Sequence, residues 1–179
     1  MSGPYVQPTP KISGWMGDNE LQWLFRKAQE MDSIVEVGSW QGRSTHALCS
    51  GCPGTVYAID HFKGSPSEID TVHVLAKTVN IRELFDRNVG HFENLRTLQM
   101  DSAAAAVEFA NDSIDMVFID GDHAYEPVKA DLLAWLPKCR YLICGHDRTQ
   151  DGVPQALQEI LGKVRNETGS LWSYQICAH

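Results

Sequence analysis

The chain has 179 residues, 43% apolar and 21% charged, with 14 Gly and 8 Pro. This is an ordinary globular composition, long enough for one domain that buries roughly 70% of its unfolded surface and cramped for two. A net charge of −8 argues against an extended nucleic-acid surface, which needs clustered Lys and Arg, and no apolar run approaches the ~18 residues of a spanning helix.

Residues 1–13 carry Pro4, Pro8 and Pro10 without apolar periodicity, which predicts an extended arm, dispensable for folding, ahead of a single domain over 14–179. Within MSGPYVQPTPKISG there is no basic flank followed by an apolar stretch, so no secretory signal is expected. Leu21, Leu24, Phe25 and Ala28 recur at helical spacing behind Asp18, a candidate cap. Six short β-rich runs follow: Ser33–Val37, Thr55–Ile59, Leu95–Met100, Asp115–Ile119, Tyr141–Cys144 and Leu171–Cys177. Most lack strict alternation, as expected of strands covered on both faces. Helical stretches separate them, near Arg43–Cys49, Thr78–Phe85, Ser102–Phe109, Glu126–Leu136 and Pro154–Val164. Alternating strands and helices predict an α/β fold, a Rossmann-like doubly wound, mostly parallel sheet of six to seven strands with helices on both faces. Five Cys, at 49, 52, 139, 144 and 177, are odd in number and irregularly spaced, which favours reduced thiols. Cys49 and Cys52 spell C-x-x-C, but no second pair at zinc-finger spacing follows. A soluble cytoplasmic protein is therefore expected.

In open α/β sheets ligands bind beyond the carboxyl ends of the strands, so the residues after each strand matter most. Gly38 and Gly42 bracket the turn after the first strand, where they allow a tight bend and close approach of a ligand. Trp40 stands where the dinucleotide fingerprint G-x-G-x-x-G requires its second glycine, which disfavours a nicotinamide cofactor. A nucleoside linked to an amino acid suits the turn better. Asp60 ends the second strand 18 residues after Gly42, close to the roughly 20-residue spacing at which an acid reaches ribose hydroxyls. Asp101-Ser102 follows the third strand and reads both as a helix cap and as a ligand contact. Asp120, Asp122 and His123 after the fourth strand, with His146 and Asp147 after the fifth, form a dense ionisable cluster.

The segments VEVGSWQGRST, YAID, LQMDS, VFIDGDHAYEPVKADLLAWLP and GHD, in this order, resemble class I S-adenosylmethionine-dependent methyltransferases. Within them the pattern is similar to the branch containing macrocin O-methyltransferase-like and cephalosporin-hydroxylase-associated enzymes. The resemblance runs from about Gly14 to Leu161. It implies that Gly38, Ser39, Gln41 and Gly42 hold the methionine part of S-adenosylmethionine with Glu36 behind them. It further implies that Asp60 binds ribose, His61 and Phe62 flank the adenosine, Asp101 and Ser102 meet the adenine, and Asp120 lies near the amino end. In the metal-dependent members, acids after the fourth and fifth strands hold magnesium or a similar ion, and the matching positions are Asp120, His146 and Asp147. Carboxylates suit Mg or Mn, whereas an imidazole shifts preference toward later metals. His146 or His123 is alternatively a general base.

The expected activity is methyl transfer from S-adenosylmethionine to a hydroxyl of a small-molecule acceptor, with or without a divalent metal. The alternative from another class is a non-catalytic module that binds S-adenosylmethionine or S-adenosylhomocysteine as a sensor or assembly partner. The ionisable cluster favours the enzyme. Acceptor choice is expected to depend on the arm and on residues 63–92, and a homodimer is compatible with so short a domain.

Overall fold

A computed structural model describes residues 3–64, 78–150 and 152–176. In chain order its elements are α1 (Asp18–Ala28), β1 (Ser33–Val37), α2 (Arg43–Gly51), β2 (Thr55–Ile59), α3 (Ile81–Val89), β3 (Leu95–Leu98) and α4 (Ser102–Ala106). There follow β4 (Ile114–Ile119), α5 (Tyr125–Trp135), a 3-10 turn (Leu136–Lys138), β5 (Cys139–Gly145), α6 (Val153–Ile160), β6 (Arg165–Asn166) and β7 (Trp172–Gln175). The strands form one sheet in the order β3-β2-β1-β4-β5-β7-β6. β1 to β5 are parallel, whereas β7 runs antiparallel to both β5 and β6. This is the expected Rossmann-like, doubly wound α/β fold.

Period-two alternation distributes each central strand between two cores. Ile34 and Met116 pack with the apolar faces of α1 and α2. Val35, Val37 and Val117 pack with α4, α5 and α6 around Trp135. With both faces covered, every residue of β4 is buried, which is why the strand reads as a continuous apolar run. Asp115 is the exception within it. Its Oδ2 accepts from Asp32 N at 2.9 Å and Ser33 N at 3.2 Å, and its Oδ1 pairs with Arg140 at 2.9 Å. The three central strands are thereby tied together at the end opposite the carboxyl edge. Chain direction reverses its winding at β1, which lies between β2 and β4, so a crevice opens beyond Val37 and Ile119.

Several boundaries move from their predicted places. α1 is capped at Gly17, with Asp18 its first residue, and Glu20 Oε2 accepts from Gly17 N at 2.7 Å. α3 begins after Asn80, whose side chain accepts from Glu83 N, rather than at Thr78. The two-residue β6 exists only through its pairing with β7 and has no local signal of its own. Cys177, expected at the end of the last strand, lies outside the described residues, as do residues 65–77 of the stretch linked to acceptor choice. Cys49, Cys52, Cys139 and Cys144 are buried free thiols. Among the described residues no helix is long and apolar enough to cross a membrane.

The described part of the arm, residues 3–13, is docked on the domain. Ile12 is buried at 6% exposure in a cluster with Ala58, Phe62, Ile81, Phe85 and Val89. Tyr5 bonds His46 Nδ1 through its hydroxyl at 2.9 Å, and Arg43 donates to the Ile12 carbonyl at 2.7 Å. One apolar side chain of the arm is thus anchored on the domain without a helix.

Candidate active site

A cavity of about 820 Å³ opens at the carboxyl edge of β1, β2, β4 and β5. Of the residues singled out from the sequence, Gly38, Ser39, Asp60, His61, Asp101, Ser102, Asp120, His123, His146 and Asp147 line it. Glu36, Gln41, Gly42 and Phe62 do not. Glu36 is fully buried behind the turn, where Thr45 donates to its Oε2. Burial outweighs the hydroxyls of Ser44 and Thr45 and pushes its carboxyl up to about 7. The Gln41 carbonyl accepts from Asn88 at 2.8 Å, and Phe62 turns inward against Phe85, with ring centroids 5.2 Å apart. Gly42 has φ +90°, and a Cβ there would meet Val89 at 3.0 Å and Phe85 at 3.3 Å. Its smallness thus serves α2–α3 packing, which corrects the expectation that it makes room for a ligand. Gly38 is likewise small because Asp120 backbone passes against it.

Backbone strain gathers at the same edge. Trp40 after β1, Phe62 after β2 and Asp147 after β5 all have positive φ, at 48°, 60° and 53°, a conformation that costs a non-glycine residue about 1–3 kcal/mol. Asp60 stabilises two of them: its Oδ2 accepts from Trp40 N at 2.8 Å and its Oδ1 from Phe62 N at 2.6 Å. Each oxygen thus keeps further accepting capacity, and Asp60 lines the cavity. Asp101 caps α4 by accepting from Ala103 N and Ala104 N, so those amides are engaged by the cap. Ser102 Oγ accepts from Trp135 Nε1 at 2.8 Å.

Among the described residues, Arg43 Nε is buried at the wall without a hydrogen-bond partner, whereas Ser39 lies against the Glu36 carboxyl and helps to stabilise its charged form. Arg43 is the one Arg or Lys on the wall among the described residues, against Asp60, Asp101, Asp120, Asp122, Asp131 and Asp147. The cavity is therefore suited to a ligand that is cationic overall but carries an anionic end.

At the β4–β5 side, one oxygen of Asp147 joins two imidazoles. Asp147 Oδ2 lies 2.8 Å from His123 Nε2 and 3.0 Å from His146 Nδ1. His146 Nδ1 also lies 3.6 Å from Asp120, while its Nε2 lies 3.0 Å from Glu20 Oε1. Burial opposes a charged ring, but Asp147, Asp120 and Glu20 outweigh it and raise His146 to about 9. Burial opposes ionisation of Asp147 too, yet the two histidines hold its carboxyl well below the usual range. Asp120 is pushed up to about 8, by burial first and by the Asp147 charge, with His146 and His123 countering. One ligand atom from each of Asp120, His146 and Asp147 lies within 4.8 Å of the others. Glu20 escaped the sequence reading, although it lies four residues before Leu24 and thus on the buried face of α1. Ser13 to Met16 and Gln150 also line the cavity and carried no motif.

Residues 35–147 match the methyltransferase domain family, and the chain belongs to that family. No curated protein matches its sequence. Among solved structures it is similar to the Podospora anserina methyltransferase PaMTH1 bound to S-adenosylhomocysteine, at 14% identity and TM-score 0.63 over 89% of this chain and 78% of that one. It is also similar to CalS11, a TDP-rhamnose 3'-O-methyltransferase of calicheamicin biosynthesis, at 15% identity and TM-score 0.58 over 87% and 76%. An O-methyltransferase of Bacillus cereus with S-adenosylhomocysteine aligns at 20% identity and TM-score 0.52 over 93% and 83%.

Proposed function

We propose that the protein transfers a methyl group from S-adenosylmethionine to a hydroxyl of a small molecule. The observation that carries this reading is the convergence of the Ser39 turn, Asp60 and the Asp120–His123–His146–Asp147 cluster on one cavity at the sheet's winding reversal. The residues fit the cofactor. Asp60 is placed to accept from a ribose diol, Arg43 Nε is an unpartnered donor for a carboxylate among the described residues, and the acidic wall matches a sulfonium cation. The two relatives whose names describe O-methyl transfer support an oxygen acceptor, in keeping with the macrocin-like branch.

S-adenosylmethionine, when bound, supplies an electrophilic methyl group on a sulfonium. The chain's part is to position the acceptor and to take its proton. His123 suits the role of base, because Asp147 engages its Nε2. The charge that forms when the ring takes the proton is balanced by Asp147, 2.8 Å from Nε2. His146 has carboxylates at both nitrogens and does not serve as a base. The donor set of Asp120, His146 and Asp147 fits a divalent ion such as Mg or Mn, with these three residues holding it; such an ion would lower the pKa of a nearby hydroxyl.

The test is calorimetry with S-adenosylmethionine and S-adenosylhomocysteine, followed by methyl-transfer assays on a panel of hydroxylated acceptors with and without EDTA and re-added Mg or Mn. Binding and transfer are expected, with transfer lost in EDTA and in His123→Ala. Indifference to EDTA overturns the metal assignment. Binding without transfer to any acceptor would point to a sensor or assembly module, and NADH binding in place of either ligand would overturn the cofactor.

A further inference from the structure

The residue that meets His146 from behind belongs to α1, outside the segment matched by the family. Glu20 is buried, and its carboxylate is held by two segments distant in sequence: Oε2 accepts from Gly17 N and Oε1 from Ser170 N, each at 2.7 Å. The loop between β6 and β7 closes tightly over it, since a Cβ on Gly169 would collide with the Glu20 carboxylate. The imidazole is equally constrained. His146 N donates to Ile119 O at 3.1 Å, and its carbonyl accepts from Trp172 Nε1 at 3.0 Å. With Glu20 and the ring both held in place, the 3.0 Å contact between Oε1 and Nε2 has one direction: a carboxylate accepts, so Nε2 must carry the proton.

We propose that Glu20 is a positioning residue that keeps the proton on His146 Nε2 and turns Nδ1 toward Asp120 and Asp147. Such an arrangement, a histidine whose far nitrogen is bound by a carboxylate, fixes ring orientation and increases basicity at the near nitrogen. Its use at a cation site rests on the metal reading above; the orientation itself does not. Glu20 thereby couples α1 and the β6–β7 loop, neither of which carries a motif residue, to the chemistry at the end of β5. Replacement by Gln preserves shape but places an NH2 group against either Gly17 N or the Ser170 N and His146 Nε2 pair, so one donor must face another.

Two measurements on the full chain test this. In the first, nitrogen-15 correlation spectra of the histidine rings, assigned with His146→Gln, are recorded before and after Mg or Zn addition. An Nε2–H resonance shielded from exchange is expected throughout, with the change on ion addition confined to Nδ1. An unprotonated Nε2 in the wild-type chain overturns the proposal without any Glu20 variant. The second measurement compares Glu20→Gln with Trp23→Phe, a control that disturbs α1 by removing the Trp23–Glu167 bond. Glu20→Gln should lose the protected resonance and bind Mn about tenfold or more weakly, while S-adenosylhomocysteine affinity stays within about twofold and the control behaves as wild type. A folded Glu20→Gln chain with an unchanged His146 spectrum would reduce Glu20 to a helix cap. Failure of the wild-type chain to bind Mn would remove the metal reading, and the spectra alone would then decide the Glu20 assignment. Failure to bind S-adenosylhomocysteine would remove the cofactor reading and leave that assignment standing.

Discussion

Asp60 has two roles that a single substitution exposes. Its carboxylate accepts from Trp40 N and Phe62 N, both left-handed, and also faces the cavity. Asp60→Ala should therefore weaken S-adenosylhomocysteine binding by about 1.5–3 kcal/mol, the range for hydrogen bonds to a charged acceptor, and lower the melting temperature as well. Calorimetry and thermal melts measure the two effects separately, and an unchanged affinity in the folded variant would take Asp60 out of the cofactor site. Gly42 behaves differently, because its neighbours are Val89 and Phe85. Gly42→Val combines left-handed strain with overpacking, each worth about 1–3 kcal/mol. A large drop in melting temperature with near-normal affinity in the folded fraction is expected, whereas a stable variant that cannot bind would return Gly42 to the ligand.

Among the elements, the arm and the residues that follow it touch both a core and the cavity. Ile12 covers Phe62 and Phe85, and Ser13 to Met16 form part of the cavity wall. Deleting the chain through Ser13 removes a buried Ile, worth about 1.5–3 kcal/mol, together with the Arg43 and Tyr5 hydrogen bonds. At about 2–4 °C per kcal/mol for a domain of this size, the melting temperature should fall by at least roughly 5 °C. A truncated chain that melts with the full-length one would show the arm to be a passive appendage.

Across the whole molecule the titrating groups set a direction for stability against pH. Glu36, raised from 4.5 to about 7, and Asp120, raised from 3.8 to about 8, hold protons more tightly folded than unfolded. Each therefore costs stability as pH rises between its two values. His146, raised from 6.5 to about 9, contributes stability that is full below 6.5 and is lost as pH rises through about 9. Asp147 acts oppositely: its contribution is present above 3.8 and is lost as pH falls toward its lowered folded value. In EDTA the melting temperature should fall steadily from pH 5 to pH 9. Glu36→Gln should flatten the segment between about 4.5 and 7, a difference on the order of 3 kcal/mol. An identical slope in that variant would mean that Glu36 is not protonated in the folded chain.

The sheet's parallel strands, the helices between them and most of the cavity residues were legible in the sequence. Strands covered on both faces leave continuous apolar runs such as Ile114–Ile119, and a ligand edge concentrates polar residues just after them, as at Asp60, Asp120 and His146. Local pattern said nothing of β6, whose two residues are a strand only because β7 pairs with them, nor of the docking of Ile12. It also misassigned Gly42 and Phe62, since proximity to a motif in sequence does not fix which way a residue faces once α3 packs against the turn. Glu20 is the clearest case. A glutamate at helical spacing from Leu24 has no distinguishing mark until the fold brings it across 126 residues to His146. The sequence alone determined which chemical groups reach the carboxyl edge, because strand ends place them there locally. Only the tertiary structure decided which of them meet, because their partners come from segments distant along the chain.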